Sequence, residues 1–208
     1  MKNKIIKPKI NYTEYFDDTE YDYSIDNKEF DHINITNVNL NSIVLNSCIF
    51  NNIDFTNINF DDIELIDCIF NNCDLSNKSF DKKGLNRCEF NNCKLLGINF
   101  SNSFIKNVCF IDCNLRYCNF YETKIDNLCF NSSVLDDGYF QDLSLKNIYF
   151  DKCSLKNFSF LNTKHDIIDL SNSNIDDINF DLISIKNIEV DMFGAAMLSK
   201  YLGVIIKN

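Results

Sequence analysis

Apolar residues recur at every fifth position through most of the chain. From Phe30 to Val190 every fifth residue is apolar, with His165 as the exception. A second position, two residues earlier, holds mostly Ile or Cys, and the remaining positions hold mainly Asn, Asp, Ser and Lys. A period of five fits neither a helix, where it drifts around the axis, nor a flat strand, where it alternates between faces. The pattern therefore predicts another regular structure.

Each five-residue unit is predicted to form one side of a coil. Residues two apart point the same way on an extended segment, so both apolar positions face inward if the chain turns after every unit. Successive coils then pair their backbone groups and bury a continuous core, as in β-helices. The sequence thus predicts an all-β solenoid.

The alternation of Phe with Leu or Ile indicates how many sides each coil has. From Phe50 onward, Phe occupies mainly every second unit, and Leu or Ile usually occupies the alternate unit. An even number of sides stacks Phe on Phe between coils, whereas three sides mix the columns. We predict four sides of five residues in each coil, and about eight coils.

These units resemble a known family. Segments such as "CIFNNCDLSNKSF" and "CNLRYCNF" are similar to the repeats of the pentapeptide-repeat proteins. The resemblance covers residues 30–190 and implies a right-handed quadrilateral β-helix. Residues 1–29 precede it as a predicted N-terminal cap segment. Within this segment, Tyr12, Tyr15 and Phe16 are expected to shield the first coil, although the acidic residues from 12 to 31 leave an acidic binding arm as the alternative.

Composition restricts the function further. The 208 residues suit one substantial domain, and the net charge of −10 argues against nucleic acid as a direct partner. No secretory leader or long apolar run is visible, so a reducing cytoplasm and no membrane association are expected. The ten cysteines fall mostly in the inward register, where a small thiol suits a tight corner. No enzyme signature occurs, and neither a metal nor a cofactor is expected.

Charge differs between the four predicted faces. Three faces carry an excess of acids, and the face through Leu65, Leu85 and Ile105 carries an excess of bases. The acidic faces suggest a rod that imitates DNA, while the alternative is an ordinary charged exterior. The candidate partner-binding acids are Asp61, Asp62, Asp81, Glu122, Asp142, Asp181, Glu89, Asp112 and Asp151.

The repeat ends at Val190, and residues 191–208 form a different segment. Asp191 can cap a helix that runs to about Leu202 and ends at Gly203, followed by a short apolar strand. A solenoid end must be capped, and a helix this apolar predicts an end-to-end homodimer. The predicted interface residues are Met192, Phe193, Met197, Leu198, Tyr201, Leu202, Val204, Ile205 and Ile206.

The tail also resembles a subgroup of the family. "IEVDMFGAAMLSKYLGVII" is similar to the C-terminus of the Qnr-type fluoroquinolone-resistance proteins. That resemblance implies a homodimer that binds DNA gyrase or topoisomerase IV and protects it from quinolones or a topoisomerase-targeting toxin. The unbroken repeat leaves little room for the projecting loops of several members. The alternative function is a generic solenoid scaffold for protein–protein interaction with no topoisomerase role.

Two places interrupt the repeat. His165 takes a Leu or Ile position, and we expect a local bulge or an imidazole whose hydrogen bonds are satisfied by backbone groups. Lys78 and Lys83 stand in the second inward register. A modest outward bulge of the stretch from Lys78 to Gly84 would resolve this conflict without changing the residue count, and this stretch is the best candidate for a short projecting element; the sequence leaves open whether it projects as a loop.

Overall fold

The structure is a computed structural model that describes residues 5–16, 23–32, 40, 42–58 and 62–206. Over these residues the chain forms a right-handed four-sided β-helix of about eight coils, followed by one short α-helix. The strands are β1 (Glu14–Tyr15), β2 (Ser24–Asp26), β3 (Lys28–Asp31), β4 (Val44–Asn46), β5 (Ile49–Asn51), β6 (Glu64–Ile66), β7 (Ile69–Asn71), β8 (Gly84–Asn91), β9 (Phe104–Ile111), β10 (Asn119–Tyr121), β11 (Lys124–Asn131), β12 (Tyr139–Gln141), β13 (Ser144–Asp151), β14 (Ser159–Leu161), β15 (Lys164–His165), β16 (Ile168–Asp169), β17 (Asn179–Phe180) and β18 (Ile188–Glu189).

The coils pair in parallel with a constant offset, so that the same position of successive coils lies in one column. Phe50 lies opposite Phe70, and Phe70 lies opposite Phe90. These rings stack with centroids 4.8 Å apart, and each is fully buried. The predicted stacking of Phe on Phe is therefore confirmed. The core consists of these apolar columns inside the coil.

The corners of the coil place residues in the left-handed conformation. Positive φ recurs two residues after the central apolar residue, as at Asn52, Asn72 and Asn92, whose φ angles are 57°, 55° and 52°. Asn and Asp enter this region at lower cost than other residues with a Cβ. Their side chains also form ladders between coils, with Asn92 Nδ2 donating to Asn72 Oδ1 at 2.8 Å. The corner conformation therefore explains why Asn and Asp are frequent at these positions.

The inward cysteines tie adjacent coils together. The Sγ of Cys68 donates to the Leu45 carbonyl at 3.3 Å, and the Sγ of Cys93 donates to the Phe70 carbonyl at 3.4 Å. A hydroxyl makes the same bond at Thr123, which donates to the Phe100 carbonyl at 2.7 Å. The position therefore favours a small side chain that can also donate a hydrogen bond. All ten cysteines lie within the described ranges and are free thiols.

The predicted bulge from Lys78 to Gly84 is wrong. Ser79 pairs with Asn99 and Gly84 pairs with Phe104, so the offset between coils continues without an insertion. The Lys78 side chain reaches back to the preceding coil, where Nζ donates to the Ile58 carbonyl at 2.6 Å. A long Lys stem can lie along the core edge while its charge reaches polar atoms. No bulge is therefore needed.

The N-terminal segment caps the first coil in a different way from that predicted. Phe16 stacks on Phe30 with centroids 4.5 Å apart, as expected. Tyr12 and Tyr15 do not shield the core, because they are 65% and 73% exposed. Strand β1 pairs with β3 at a shorter offset than the later coils have, since Glu14 lies opposite Lys28. The ring of Phe16 therefore covers this end of the Phe column.

Residues 5–10 lie along the side of the coil. Ile6 N donates to Asn107 Oδ1 at 3.3 Å, and Lys9 N donates to Asp67 Oδ1 at 2.9 Å. Asp67 and Asn107 are two coils apart, about 10 Å, which three extended residues span. This segment, which we call the N-terminal strap, therefore runs along the coil axis.

The C-terminal helix largely follows the prediction. Helix α1 spans Met192–Leu198, and Asp191 caps it by accepting from Gly194 N at 2.7 Å. A 3₁₀ turn, Ser199–Leu202, follows and ends at Gly203, whose φ of 70° suits a residue without a Cβ. The predicted strand after Gly203 is wrong, since residues 204–206 form no strand.

Candidate protein-binding surfaces

One corner of the coil carries the acids predicted on the face through Phe80 and Phe100. Asp62 and Asp81 lie at its N-terminal part, and Glu122, Asp142 and Asp181 continue it. We call these five residues the acidic corner. Asp61, predicted as a sixth, lies outside the described residues. The structure therefore brings the remaining predicted acids of this face into one row.

Several acids of this row already have partners within the chain. Asp62 Oδ1 lies 2.7 Å from Lys83 Nζ, and this hydrogen bond lowers the pKa of the carboxyl group. Asp142 accepts from Asn162 Nδ2 at 2.6 Å, and Glu122 accepts from the hydroxyl of Tyr121 at 2.9 Å. Asp81 Oδ2 also lies 3.9 Å from Lys82 Nζ. The corner therefore presents ordered carboxylates, two of which are paired with lysines.

Asp181 has a structural role. Burial alone would raise its pKa, but the backbone N–H groups of Asn162, Ser184 and Ile183 donate to the carboxylate and lower the pKa below its usual value. A carboxylate that accepts several backbone hydrogen bonds is held in its charged form. Asp181 thus fixes the turn after β17 besides adding charge to the row.

The acidic corner is less dense in charge than DNA. Its five carboxylates extend over about six coils, or roughly 29 Å at about 4.8 Å per coil, so neighbouring carboxylates are about 7 Å apart on average. A DNA strand carries one phosphate per about 3.4 Å of helix axis. The corner thus resembles one DNA strand in sign and direction, at about half the charge density.

The other predicted acids lie on the face through Phe90 and Phe110 and do not form one row. Glu89 Oε2 lies 3.9 Å from Lys7 Nζ of the N-terminal strap. Asp112 is exposed at a corner with a φ of 53°, and Asp151 accepts from Asn172 Nδ2 at 2.5 Å. This second set is therefore dispersed and partly covered by the strap.

The C-terminal end exposes a group of large apolar side chains. Met192, Phe193, Leu202 and Ile205 are 84%, 79%, 80% and 85% exposed, and Val204 and Ile206 are about half exposed. Three predicted interface residues pack instead against their own last coil, namely Met197, Leu198 and Tyr201. Six of the predicted residues thus remain accessible to a partner.

Tyr201 closes the last coil with its hydroxyl. Its Oη donates to the Ile178 carbonyl at 2.9 Å and accepts from Phe180 N at 3.0 Å. Its ring meets Phe180 edge-on at 6.3 Å. The hydroxyl therefore provides hydrogen-bond partners for backbone groups of the last coil, which has no following coil to pair with.

The coil opens after His165. The pairing of β13 with β15 ends at Leu145 and His165, while β16 pairs with β18 and not with β13. The imidazole contacts two carbonyls, with Nδ1 2.6 Å from Asp166 O and Nε2 2.8 Å from Ser184 O. The expectation that His165 bonds to backbone groups is confirmed, because whichever ring nitrogen carries the proton donates to a carbonyl, and the coil separates beside it.

This opening forms a cleft of about 710 Å³. The side chains that line it are Asn147, Ile148, Tyr149, Phe150, Asp166, Ile167, Asp169, Asn187 and Glu189. This cleft, which we call the corner cleft, was not predicted from the sequence. The sequence nevertheless indicates an irregularity at Ile167. This β-branched residue occupies a corner position at which the residues of the neighbouring coils have a positive φ.

Within the described ranges, no three His, Cys, Asp or Glu side chains are grouped to hold a metal ion. No helix among the described residues has the length and apolar character needed to cross a membrane.

Comparison with known proteins identifies the repeat. The family described as "Pentapeptide repeat region" matches residues 63–140, and "Pentapeptide repeats (8 copies)" matches residues 39–77. A search of curated proteins found no match.

Solved structures share the fold at low identity. HetL, a pentapeptide repeat protein involved in heterocyst differentiation regulation from the cyanobacterium Nostoc sp. strain PCC 7120, is 14% identical with a TM-score of 0.61, over 80% of this chain and 86% of HetL. A trypsin-treated variant of QnrB1, a plasmid-mediated fluoroquinolone resistance protein, is 19% identical with a TM-score of 0.45, over 88% of this chain and 90% of its own. At this low identity, the similarity to HetL supports the fold and carries no information on function. The two family matches, over residues 39–140, together with the four-sided coil of five-residue units, show that the chain belongs to the pentapeptide-repeat family.

Proposed function

We propose that this protein binds a type II topoisomerase, DNA gyrase or topoisomerase IV, and occupies part of its DNA-binding surface. The acidic corner is the observation that carries the proposal, because it sets a row of carboxylates along a straight rod. Basic grooves that bind DNA recognise mainly regularly spaced negative charge. The protein acts without catalysis, and protects the enzyme from quinolones or from a topoisomerase-targeting toxin.

The C-terminal segment gives the proposal its particular partner. Its sequence resembles the tail of the Qnr-type proteins, and the structure has a capped helix with exposed Met192 and Phe193. We propose that two copies meet through this end as a cytoplasmic homodimer, since exposed apolar ends of solenoids need cover. The dimer doubles the length of the rod and continues the acidic corner across both copies.

Because the acidic corner has about half the charge density of a DNA strand, its binding to the enzyme should depend on salt differently from the binding of DNA. Fewer phosphate-like contacts release fewer counterions, so binding to the enzyme has a weaker salt dependence than DNA binding has. The regular coil from Lys78 to Gly84 also offers no projecting loop with which to reach the drug site. Binding to the enzyme is therefore the primary activity in this proposal, and protection depends on it.

A supercoiling assay tests the proposal. Purified protein is titrated into gyrase reactions with and without ciprofloxacin, and restored supercoiling in the drug arm is the expected result. Glu122→Gln/Asp142→Asn should weaken the effect, whereas Asp126→Asn/Asp137→Asn, with the same change in net charge on other parts of the coil, should not. No effect in either arm, at concentrations well above that of the enzyme, would contradict the proposal.

The corner cleft favours a second candidate function. A pentapeptide-repeat coil with an open cleft can serve as a scaffold that holds another protein, without any topoisomerase. This candidate predicts a saturable protein ligand and no effect in the supercoiling assay.

A further inference from the structure

The N-terminal strap shows what kind of segment the side of this coil binds. The strap is extended, and its sequence "IIKPKI" places two lysines around a proline, with isoleucines on both sides. Two kinds of contact hold it. Corner side chains accept its backbone N–H groups, at Asp67 and Asn107, and a carboxylate on the adjoining face, Glu89, pairs with Lys7.

The corner cleft repeats both contacts further along the same column. Asn147 and Asn187 occupy the corner positions two and four coils after Asn107, and both have a positive φ. They are thus two coils apart, as are Asp67 and Asn107, which accept from strap residues three apart. The cleft therefore offers amide oxygens at the spacing that an extended peptide needs.

The carboxylates recur in the same way. Asp169 lies four coils after Glu89 in the same column, the same shift that relates Asn147 to Asp67, and Glu189 lies opposite Asp169 on the neighbouring strand. Asp169 Oδ1 accepts from Ser171 N, while Asp166 adds a third acid to the lining. Like charges directly opposite on neighbouring strands repel, and a lysine ammonium placed between them removes that repulsion.

The cleft also supplies apolar surface. Ile167 is 63% exposed beside it, and the core residues Ile148 and Phe150 are 6% and 8% exposed, whereas Phe90 and Phe110 are fully buried. Aliphatic side chains of a ligand would cover these residues. An apolar floor with a few placed polar groups is the usual character of a binding cleft.

We propose that the corner cleft docks an extended segment of a partner protein that carries lysines between branched aliphatic residues. The segment binds as the N-terminal strap does, with its backbone N–H groups on Asn147 and Asn187 and its lysines on Asp166 and Glu189. This site is separate from the acidic corner, so it is independent of the proposed topoisomerase binding.

The test uses a fluorescein-labelled peptide with the strap sequence, IIKPKIN, added to the full chain and followed by fluorescence anisotropy. Saturable binding is expected, and IISPSIN should bind about tenfold more weakly or not at all. Asp166→Asn/Glu189→Gln should weaken binding of IIKPKIN about tenfold. Glu89→Gln should leave the affinity for IIKPKIN unchanged, because Glu89 pairs with Lys7 of the strap and does not line the corner cleft.

Three results would overturn the proposal. The first is no saturable binding of IIKPKIN. The second is binding that Glu89→Gln abolishes and Asp166→Asn/Glu189→Gln does not, which would mean that the peptide only displaces the strap. The third is a protein dimer in sedimentation velocity that Asp166→Asn/Glu189→Gln dissociates, which would identify the occupant as the strap of a second copy.

Discussion

At the scale of single residues, the corners determine which side chains the repeat accepts. A corner with a positive φ places its residue in the left-handed region, which costs most residues about 1–2 kcal/mol and Asn or Asp less. Asn72 and Asn92 also join their amides between coils. The polar residues of the repeat are therefore part of its framework as well as its surface.

Substitutions at Asn92 separate these two contributions. Asn92→Gly keeps the backbone conformation and loses only the amide ladder, whereas Asn92→Val also forces a β-branched residue to a φ near 52°. We expect Asn92→Val to lower the free energy of unfolding by about 1–2 kcal/mol more than Asn92→Gly does. Urea unfolding measures the difference. Equal stability of the two variants would show that the corner conformation does not select Asn.

The buried thiols predict a dependence of stability on pH. Burial raises the pKa of Cys88 to about 12 and that of Cys153 to about 11, from an ordinary value near 9. Above pH 9 the unfolded chain loses these protons and the folded chain keeps them, so stability falls as pH rises from about 9 to 12. Cys88→Ser should reduce this fall in urea unfolding. A fall of the same size in Cys88→Ser would contradict this assignment.

At the scale of the elements, the constant offset between coils makes each side of a coil depend on the same side of the coil before it. Strand β13 pairs with β11 along its length, but its pairing with the next coil ends at His165. Ile167 is the first residue after this point at a corner position, and it lacks the positive φ found at Asn147 and Asn187. We attribute the opening of the coil to Ile167, because a β-branched residue disfavours the left-handed conformation that the corner requires.

Ile167→Asn should close the coil. Asn enters the left-handed region more easily than Ile, so β13 can pair with β16. The backbone N–H of Asn147 should then gain protection from hydrogen exchange. A gain of about 1 kcal/mol corresponds to a Tm about 2–4 °C higher in a chain of this size. Ile167→Val, which stays β-branched, is the control and should change neither quantity. Unchanged protection in Ile167→Asn would show that another residue, such as His165, holds the coil open.

Much of this architecture follows from the sequence, because period and register are local properties. The five-residue unit, the four sides, the Phe columns and the cap at Asp191 follow from residues within a few units of each other. The strap and the corner cleft do not, because Ile6 meets Asn107 across 101 residues. The bulge predicted at Lys78 was wrong for a related reason, since the carbonyls that receive its ammonium belong to the preceding coil.

At the scale of the whole molecule, the structure is a rod with different surfaces at its end and along its sides. The C-terminal end exposes Phe193 and Ile205, and the acidic corner runs along one edge. The end and the edge are the surfaces on which the proposed function depends.

The end should control the oligomeric state. Phe193→Asp places a charge in the proposed interface and should convert a dimer into a monomer in sedimentation velocity, because an unpaired buried charge is costly. Phe104→Asp, at a half-exposed aromatic residue on the side of the coil, is the matched control and should leave the dimer intact. A wild-type protein that stays monomeric at high concentration would contradict the proposed interface.

The most direct test of the proposed function is competition with DNA for gyrase. Gyrase is immobilised, the protein is bound to it, and linear duplex DNA is added at increasing concentration. We predict that DNA displaces the protein completely and that Glu122→Gln/Asp142→Asn binds several-fold more weakly, while Asp126→Asn/Asp137→Asn binds as the wild type does. No binding to gyrase, or binding that saturating DNA leaves unchanged, would contradict the proposal that the acidic corner occupies the DNA-binding surface.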